Sequence, residues 1–235
     1  MKSWFPFTDY DFYAYLTSGM IVLFSVDYGF NGGEITSQTE WSFIQIVFTI
    51  AMAYLVGHVV ASFASVILEH WIARRMLRPP VAIMVGLGKP VFAEHFIAKW
   101  IVGRNYEPMP ESLQALILTA VAMKLEKNVE EITNPEDVFH VAFPVARGVE
   151  DASIRMDGFR NLYGLLRNVT LAGLITAVAL LYRAVGEESS LHWWALTITV
   201  LSMIMFGRFL KFYAAYAAEV LRTYASESKR EKRES

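Results

Sequence analysis

Histidines 58, 70, 95, 140 and 192 are the residues of this chain best suited to acid–base or metal chemistry. Two of them directly follow a glutamate, in Glu69–His70 and Glu94–His95. Together the pairs offer metal-capable donors, but no HExxH spacing sets two histidines on one helix face, and polar residues at a membrane interface account for them more simply. Gly86-Leu87-Gly88-Lys89 resembles a fragment of a phosphate loop without the spacing of the full motif. Arg104-Asn105 and Arg160-Asn161 lack the following histidine that helical ribonucleases carry. The chain has no cysteine, which excludes thiolate metal sites, disulfides and cysteine nucleophiles. No Ser-His-Asp set can be argued. The expectation is a protein with no catalytic residues, no metal and no cofactor.

The chemistry that remains is that of helices meeting in lipid. Ala53, Gly57, Ala61 and Ser65 recur every fourth residue, a small-xxx-small ridge that lets helix backbones approach closely. Gln45 and Thr49 prolong the stripe, and His58 lies beside it. A ridge of this kind serves packing within one bundle or between subunits; its length points to oligomer packing. His58 is either a functional ionisable group at membrane depth or a neutral hydrogen-bond donor to a neighbouring helix. Thr17, Ser18, Gly19 and Ser25 add small or polar positions upstream.

The elements that must carry these residues follow from composition. Of 235 residues, 54% are apolar and 19% charged, with mean hydropathy +0.34. Soluble domains are about 45–50% apolar and about 25% charged. The apolar excess falls in four blocks, giving transmembrane helices at about 10–29, 41–68, 164–184 and 191–210. A cleaved signal peptide does not fit the first, whose start holds one lysine among aromatics and aspartates. The net charge of −2 gives no basic field for nucleic acid, so no direct nucleic-acid binding is expected.

Orientation follows the basic residues. The loops at 28–40 and 185–190 hold none, only acids such as Glu34, Glu40, Glu187 and Glu188. Every other Lys and Arg except Arg183 falls on the opposite side, so both termini are cytoplasmic. Arg74, Arg75, Arg78, Arg160 and Arg167 are expected as anchors at the inner interface. Trp4 and Trp71 belong to that side, Trp41, Trp193 and Trp194 to the outer one. The fold class is therefore an all-α membrane protein: four transmembrane helices with a helical cytoplasmic domain between spans two and three. Residues 1–68 form an N-terminal membrane hairpin, 69–160 the cytoplasmic domain, 161–210 a second hairpin, and 211–235 a helix extension with a charged tail.

Within the cytoplasmic segment, Pro79–Pro80 stops whatever continues from the second span. A helix starts at Pro110 and runs to Leu125. Asn134-Pro135-Glu136 starts another, which Pro144 kinks or ends near Ala142. From Glu150 the chain reads helical into the third span, and the fourth continues past Arg208 before the solvated last ten residues. Basic residues concentrate at 71–104 and acidic ones at 105–137. Glu107, Glu111, Glu130, Glu131, Glu136 and Asp137 read either as a solvated face or as a docking surface for another protein.

A resemblance adds to this reading. The aromatic opening Asp9-Tyr10-Asp11-Phe12-Tyr13-Ala14-Tyr15-Leu16-Thr17-Ser18-Gly19 is similar to that of a loose group of bacterial four-span inner-membrane proteins found in anti-phage defence loci, with Ser18-Gly19 where the group has Pro-Gly. Tyr54-Leu55-Val56-Gly57-His58, Arg74-Arg75 and Phe159-Arg160-Asn161-Leu162-Tyr163-Gly164-Leu165-Leu166-Arg167-Asn168 resemble the same group. Within it lie the Kiwa membrane components, the KwaA proteins, which sense infection with the cytosolic protein KwaB. The resemblance implies a bacterial inner-membrane protein that recruits or regulates a cytosolic effector, and the long ridge with the small core of the cytoplasmic segment gives the expectation of a homo-oligomer, a tetramer. The alternative is a gated pore or membrane-disrupting effector of a defence system.

Overall fold

The structure is a computed structural model that describes residues 9–89, 106–185 and 190–234. Trp4, the Glu94–His95 pair, Arg104–Asn105 and Glu187–Glu188 lie outside the described residues. Among the described residues the regular structure is helical throughout. The chain divides into two compact units, one made of residues up to His70 with Gly164–Phe209, the other of Trp71–Tyr163 with everything from Leu210 on.

The first unit holds α1 (Asp9–Phe30), α2 (Phe43–Ala64) and the apolar parts of two longer helices, α6 (Glu150–Ala184) and α7 (Leu191–Glu234). Small residues set its crossings. A side-chain carbon on Gly19 would lie 1.7 Å from the Ala53 carbonyl oxygen, and one on Gly57 would lie 1.8 Å from that of Tyr15. The backbones of α1 and α2 thus touch where neither residue has a side chain. Gly29 meets Ala179 in the same way, and Gly173 meets Ser202. Val22, Val60 and Ala172 form one buried cluster; Leu180, Ala184, Leu191 and Ala195 form another, flanked by Tyr28 and Ile198.

Among the described residues, three helical stretches are long and apolar enough to cross a membrane: Phe43–Met84, Glu150–Ala184 and Leu191–Glu234. By the same measure α1 falls short of the four expected spans. Asp27, the tyrosines at 13, 15 and 28, and the hydroxyls of Thr17, Ser18 and Ser25 dilute its hydropathy. The two serine hydroxyls are absorbed: Ser18 Oγ donates to the Ala14 carbonyl at 2.8 Å, and Ser25 Oγ lies 2.7 Å from Thr176 Oγ1 on α6. Asp27 is buried at the end of α1, where its Oδ2 accepts from Ile35 N, Thr36 N and Thr36 Oγ1 at 2.9, 3.1 and 3.0 Å. This carboxylate orders the turn around Gly32 and Gly33, whose φ values of 76° and 84° favour glycine.

Beyond Ala64 the chain winds as a π-helix over Ser65–Met76. Its wider turn keeps Leu68, Glu69 and Ala73 inward while Trp71, Arg74 and Arg75 stay exposed. The helix stops before Pro79–Pro80, with Arg78 at φ 67°.

The second unit is built from α3 (Pro80–Met84), α4 (Glu111–Leu125), α5 (Pro135–Gly148) and the remaining parts of α6 and α7. All five residues of α3 are buried. The Asn134 side chain caps α5 by accepting from Glu136 N at 3.0 Å. Contrary to the expected end near Ala142, α5 passes through Pro144 to Gly148. Val138, Ala142 and Ala146, one per turn, are fully buried on one face, while Pro144 points outward. The end of the chain is solvated as expected, with Ser228 the buried exception among the described residues after Ala225, but it is helical. Helix α7 continues to Glu234, and Leu210, Ala214, Ala217, Leu221, Tyr224 and Ser228 form a buried stripe with alternating steps of four and three residues.

Candidate functional site

The ridge residues Ala53, Gly57 and Ala61 are buried within the chain, with Ser65 half-buried at the start of the π-helix. Their neighbour is α1, through Gly19 and Tyr15. His58 lies on the outer flank of this crossing, its ring stacked on Tyr15 with centroids 4.0 Å apart and edge-on to Tyr54 at 4.6 Å. Thr49 is half-buried. Gln45 does not continue the stripe: it is exposed and closes a capping box, its Oε1 accepting from Ser42 N at 2.8 Å.

Arg167, expected as an anchor at the inner interface, has a partner within the chain. It lies inside the first unit, 2.5 Å from Glu69, and the two side chains are only 13% and 11% exposed. Its Nε and a second guanidinium nitrogen also donate to the buried Asn168 Oδ1 at 3.3 Å. Glu69 thus serves as an ion-pair partner. Among the described residues no three His, Asp or Glu side chains converge as metal donors. Arg74, Arg75 and Arg78 are exposed, Arg75 lying 5.6 Å over the Trp71 ring. Arg160 is exposed and 3.9 Å from Asp157.

The acidic residues sit on separate elements of the second unit: Glu107 and Glu111 around the start of α4, Glu130 and Glu131 on a single 3-10 turn, Glu136 and Asp137 in the first turn of α5. Asp137 is half-buried and the others are exposed. Glu131 is engaged locally, accepting from Asn128 N at 3.2 Å.

Among the described residues, the second unit holds a cavity of about 370 Å³. Arg74, Pro79, Pro80 and Val81 supply one wall, Pro135, Glu136, Phe139 and His140 of α5 another, and Tyr163, Tyr213, Tyr216 and Ala217 the rest. Tyr163 meets Tyr213 and Tyr216 near edge-on, with centroids 5.6 and 6.0 Å apart and planes at 72° and 69°. Phe139 lies 6.4 Å from Tyr216 and stacks on Phe143. Burial raises the Tyr216 hydroxyl above its ordinary range, against the pull of Arg160 and Arg147. Behind this wall, burial drives the Tyr106 hydroxyl far higher, with Tyr213 adding to the effect. Arg147 donates to Asp157 at 2.8 Å and holds that carboxyl below the usual carboxylate range. Arg74, Glu136 and His140 stand out in the sequence for other roles, but the cavity does not, since its walls come from four distant stretches of chain.

No protein-family model, curated protein or solved structure matches the chain.

Proposed function

We propose that this chain is a multipass membrane protein that works as a sensor or scaffold, its second unit cytoplasmic and recruiting or regulating a soluble effector. The supporting observation is that α6 and α7 each run without a break from the apolar unit into the second, where both contribute tyrosines to the cavity. The helices that anchor the chain are then the ones that build its binding site. In this reading α1 is a fourth span, its Ser18 and Ser25 hydroxyls satisfied inside the bundle as lipid requires. Both termini are cytoplasmic. The resemblance to defence-locus proteins, the Kiwa membrane components among them, supports the bacterial inner membrane as the location and a KwaB-like protein as the partner.

The chain self-associates in this reading, as a tetramer, through faces other than the ridge. Ala53, Gly57 and Ala61 are used within the chain, so copies would meet through exposed apolar faces such as Val59, Phe63 and Ile67.

The test is a charge reversal. Glu107, Glu111, Glu130 and Asp137 are changed to lysine, sparing Glu131, which holds a local cap, and Glu136, which lines the cavity. A soluble protein that co-purifies with the wild-type chain should be lost, while membrane fractionation is unchanged. Retention of the partner by the reversed chain would place docking elsewhere. A chain that leaves the membrane fraction at physiological salt would end the membrane reading itself.

A further inference from the structure

We propose that the exposed face of α2 that carries His58 is the contact between copies of this chain, with His58 of one copy hydrogen-bonded to His58 of the next. The inference rests on the membrane and self-association readings and deepens the second by naming its contact.

The imidazole of His58 is exposed, and its contacts among the described residues are with rings: stacked on Tyr15 at 4.0 Å and edge-on to Tyr54 at 4.6 Å. Within the described residues no hydrogen bond reaches either of its ring nitrogens. Ser62, one turn on, differs, because its Oγ donates to the His58 carbonyl at 2.9 Å. Any stretch of about 20 residues drawn from 41–68 to fill a hydrocarbon core of roughly 30 Å includes position 58. Lipid at that depth offers neither donor nor acceptor, so an imidazole facing it is driven toward a partner that does.

The residues around His58 have the spacing by which like helices pack side by side. Phe48, Ala51, Leu55, His58 and Ser62 are all exposed and lie three and four residues apart in alternation, the repeat of a coiled-coil seam. One polar residue in such a seam fixes its register. The apolar members alone would rest as well in lipid as against another helix. They supply the fit, and His58 supplies the requirement for a partner.

Two properties favour a second copy over a different protein. Copies inserted in the same direction hold His58 at one depth, so the rings meet level. A neutral imidazole has one N–H donor and one acceptor nitrogen, which makes it its own complement. In a closed ring of copies each His58 donates to one neighbour and accepts from the other. An unrelated helix would need a donor or acceptor of its own at the same depth.

The test uses the full chain, which has no cysteine of its own, in proteoliposomes. Leu55→Cys and Ser62→Cys should each give disulfide-linked dimers on oxidation, and Val200→Cys, exposed on α7, should not. Association is read by fluorescence energy transfer as the protein is diluted with lipid. His58→Leu should raise the dissociation constant about tenfold. His58→Phe keeps a ring on Tyr15 but has neither donor nor acceptor, and should weaken association as much. His58→Gln keeps both and should stay within about threefold of wild type. The cross-links leave His58 unchanged and so do not depend on how its variants fold. Undiminished association of His58→Phe, or cross-links at 200 equal to those at 55 and 62, would overturn the contact while leaving self-association intact. Cross-links at 55 or 62 that form in native membranes only to a different protein would overturn it in favour of another occupant. Energy transfer absent at every protein-to-lipid ratio would overturn it by ending self-association itself.

Discussion

At Gly57 the smallest possible addition has nowhere to go. Its new carbon would lie 1.8 Å from a backbone oxygen, and backbone cannot swing aside as a flexible side chain can. Gly57→Ala should therefore part α1 from α2 and destabilise the first unit by at least the roughly 1–3 kcal/mol typical of overpacking. A lowered unfolding temperature of the purified chain, with no change in subunit number, is the expected reading. An unfolding temperature equal to wild type would mean that the helices do not cross at this point. The Glu69–Arg167 pair makes a second prediction at this scale. Removing one partner strands a mostly buried charge, which costs about 3–5 kcal/mol, whereas replacing both by apolar residues of similar volume is often neutral. Glu69→Gln and Arg167→Met should each destabilise strongly, and Glu69→Leu combined with Arg167→Met should recover most of the loss. A double variant as unstable as the sum of the single ones would show the two residues acting independently.

At the scale of elements, local chemistry was legible and side-chain partnership was not. Pro110 and Asn134-Pro135 mark helix starts because a cap and a fixed φ act within a few residues, and both starts hold. The period of four at Ala53, Gly57 and Ala61 is visible in the sequence. That its counterpart is Gly19 is not, because nothing in either stretch names the other. Pro144 read as a helix end, yet one missing N–H is outweighed where Val138, Ala142 and Ala146 are buried on the same helix. The charged residues after Arg222 concealed the stripe of Leu221, Tyr224, Ala225 and Ser228 that runs beneath them. Truncation after Arg222 should consequently unfold the second unit, seen as rapid proteolysis of 111–163, while the first unit remains protected. If 111–163 stays resistant in the truncated chain, the end of α7 is dispensable to that core. The cavity was the least legible feature of all: its walls at 74–81, 135–140, 163 and 213–217 share no local pattern.

For the whole molecule the prediction is topology. Reporter fusions after Ser37 and Ser189 should read outside, and those after Asn128 and Ser235 inside. The status of α1 has its own measurement, made clean by a chain without cysteine. Ser25 and Thr176 hydroxyls are 2.7 Å apart, so the Ser25→Cys, Thr176→Cys double variant should form an intrachain disulfide in oxidised membranes. A disulfide there, with both loops outside, places α1 in the bundle as a fourth span. Cysteines that stay reduced and open to water-soluble alkylating reagents would place α1 outside it.

The buried stripe of α7 also sets an order of events during synthesis. Domains made of contiguous chain can fold as they leave the ribosome, but the second unit cannot. Leu210, Ala214, Leu221 and Tyr224, all close to fully buried in its core, are translated only after the helices of 150–184 and 191–209. The segment from Trp71 to Tyr163 is thus made early and completed late. In the interval its apolar residues, including Val81, Ile83, Ile117 and Val121, lack the helix that covers them. Completion of the second unit consequently waits for the last helix, and a chain ending within 191–209 would have the helices of the first unit made while the core of the second lacks Leu210, Ala214, Leu221 and Tyr224.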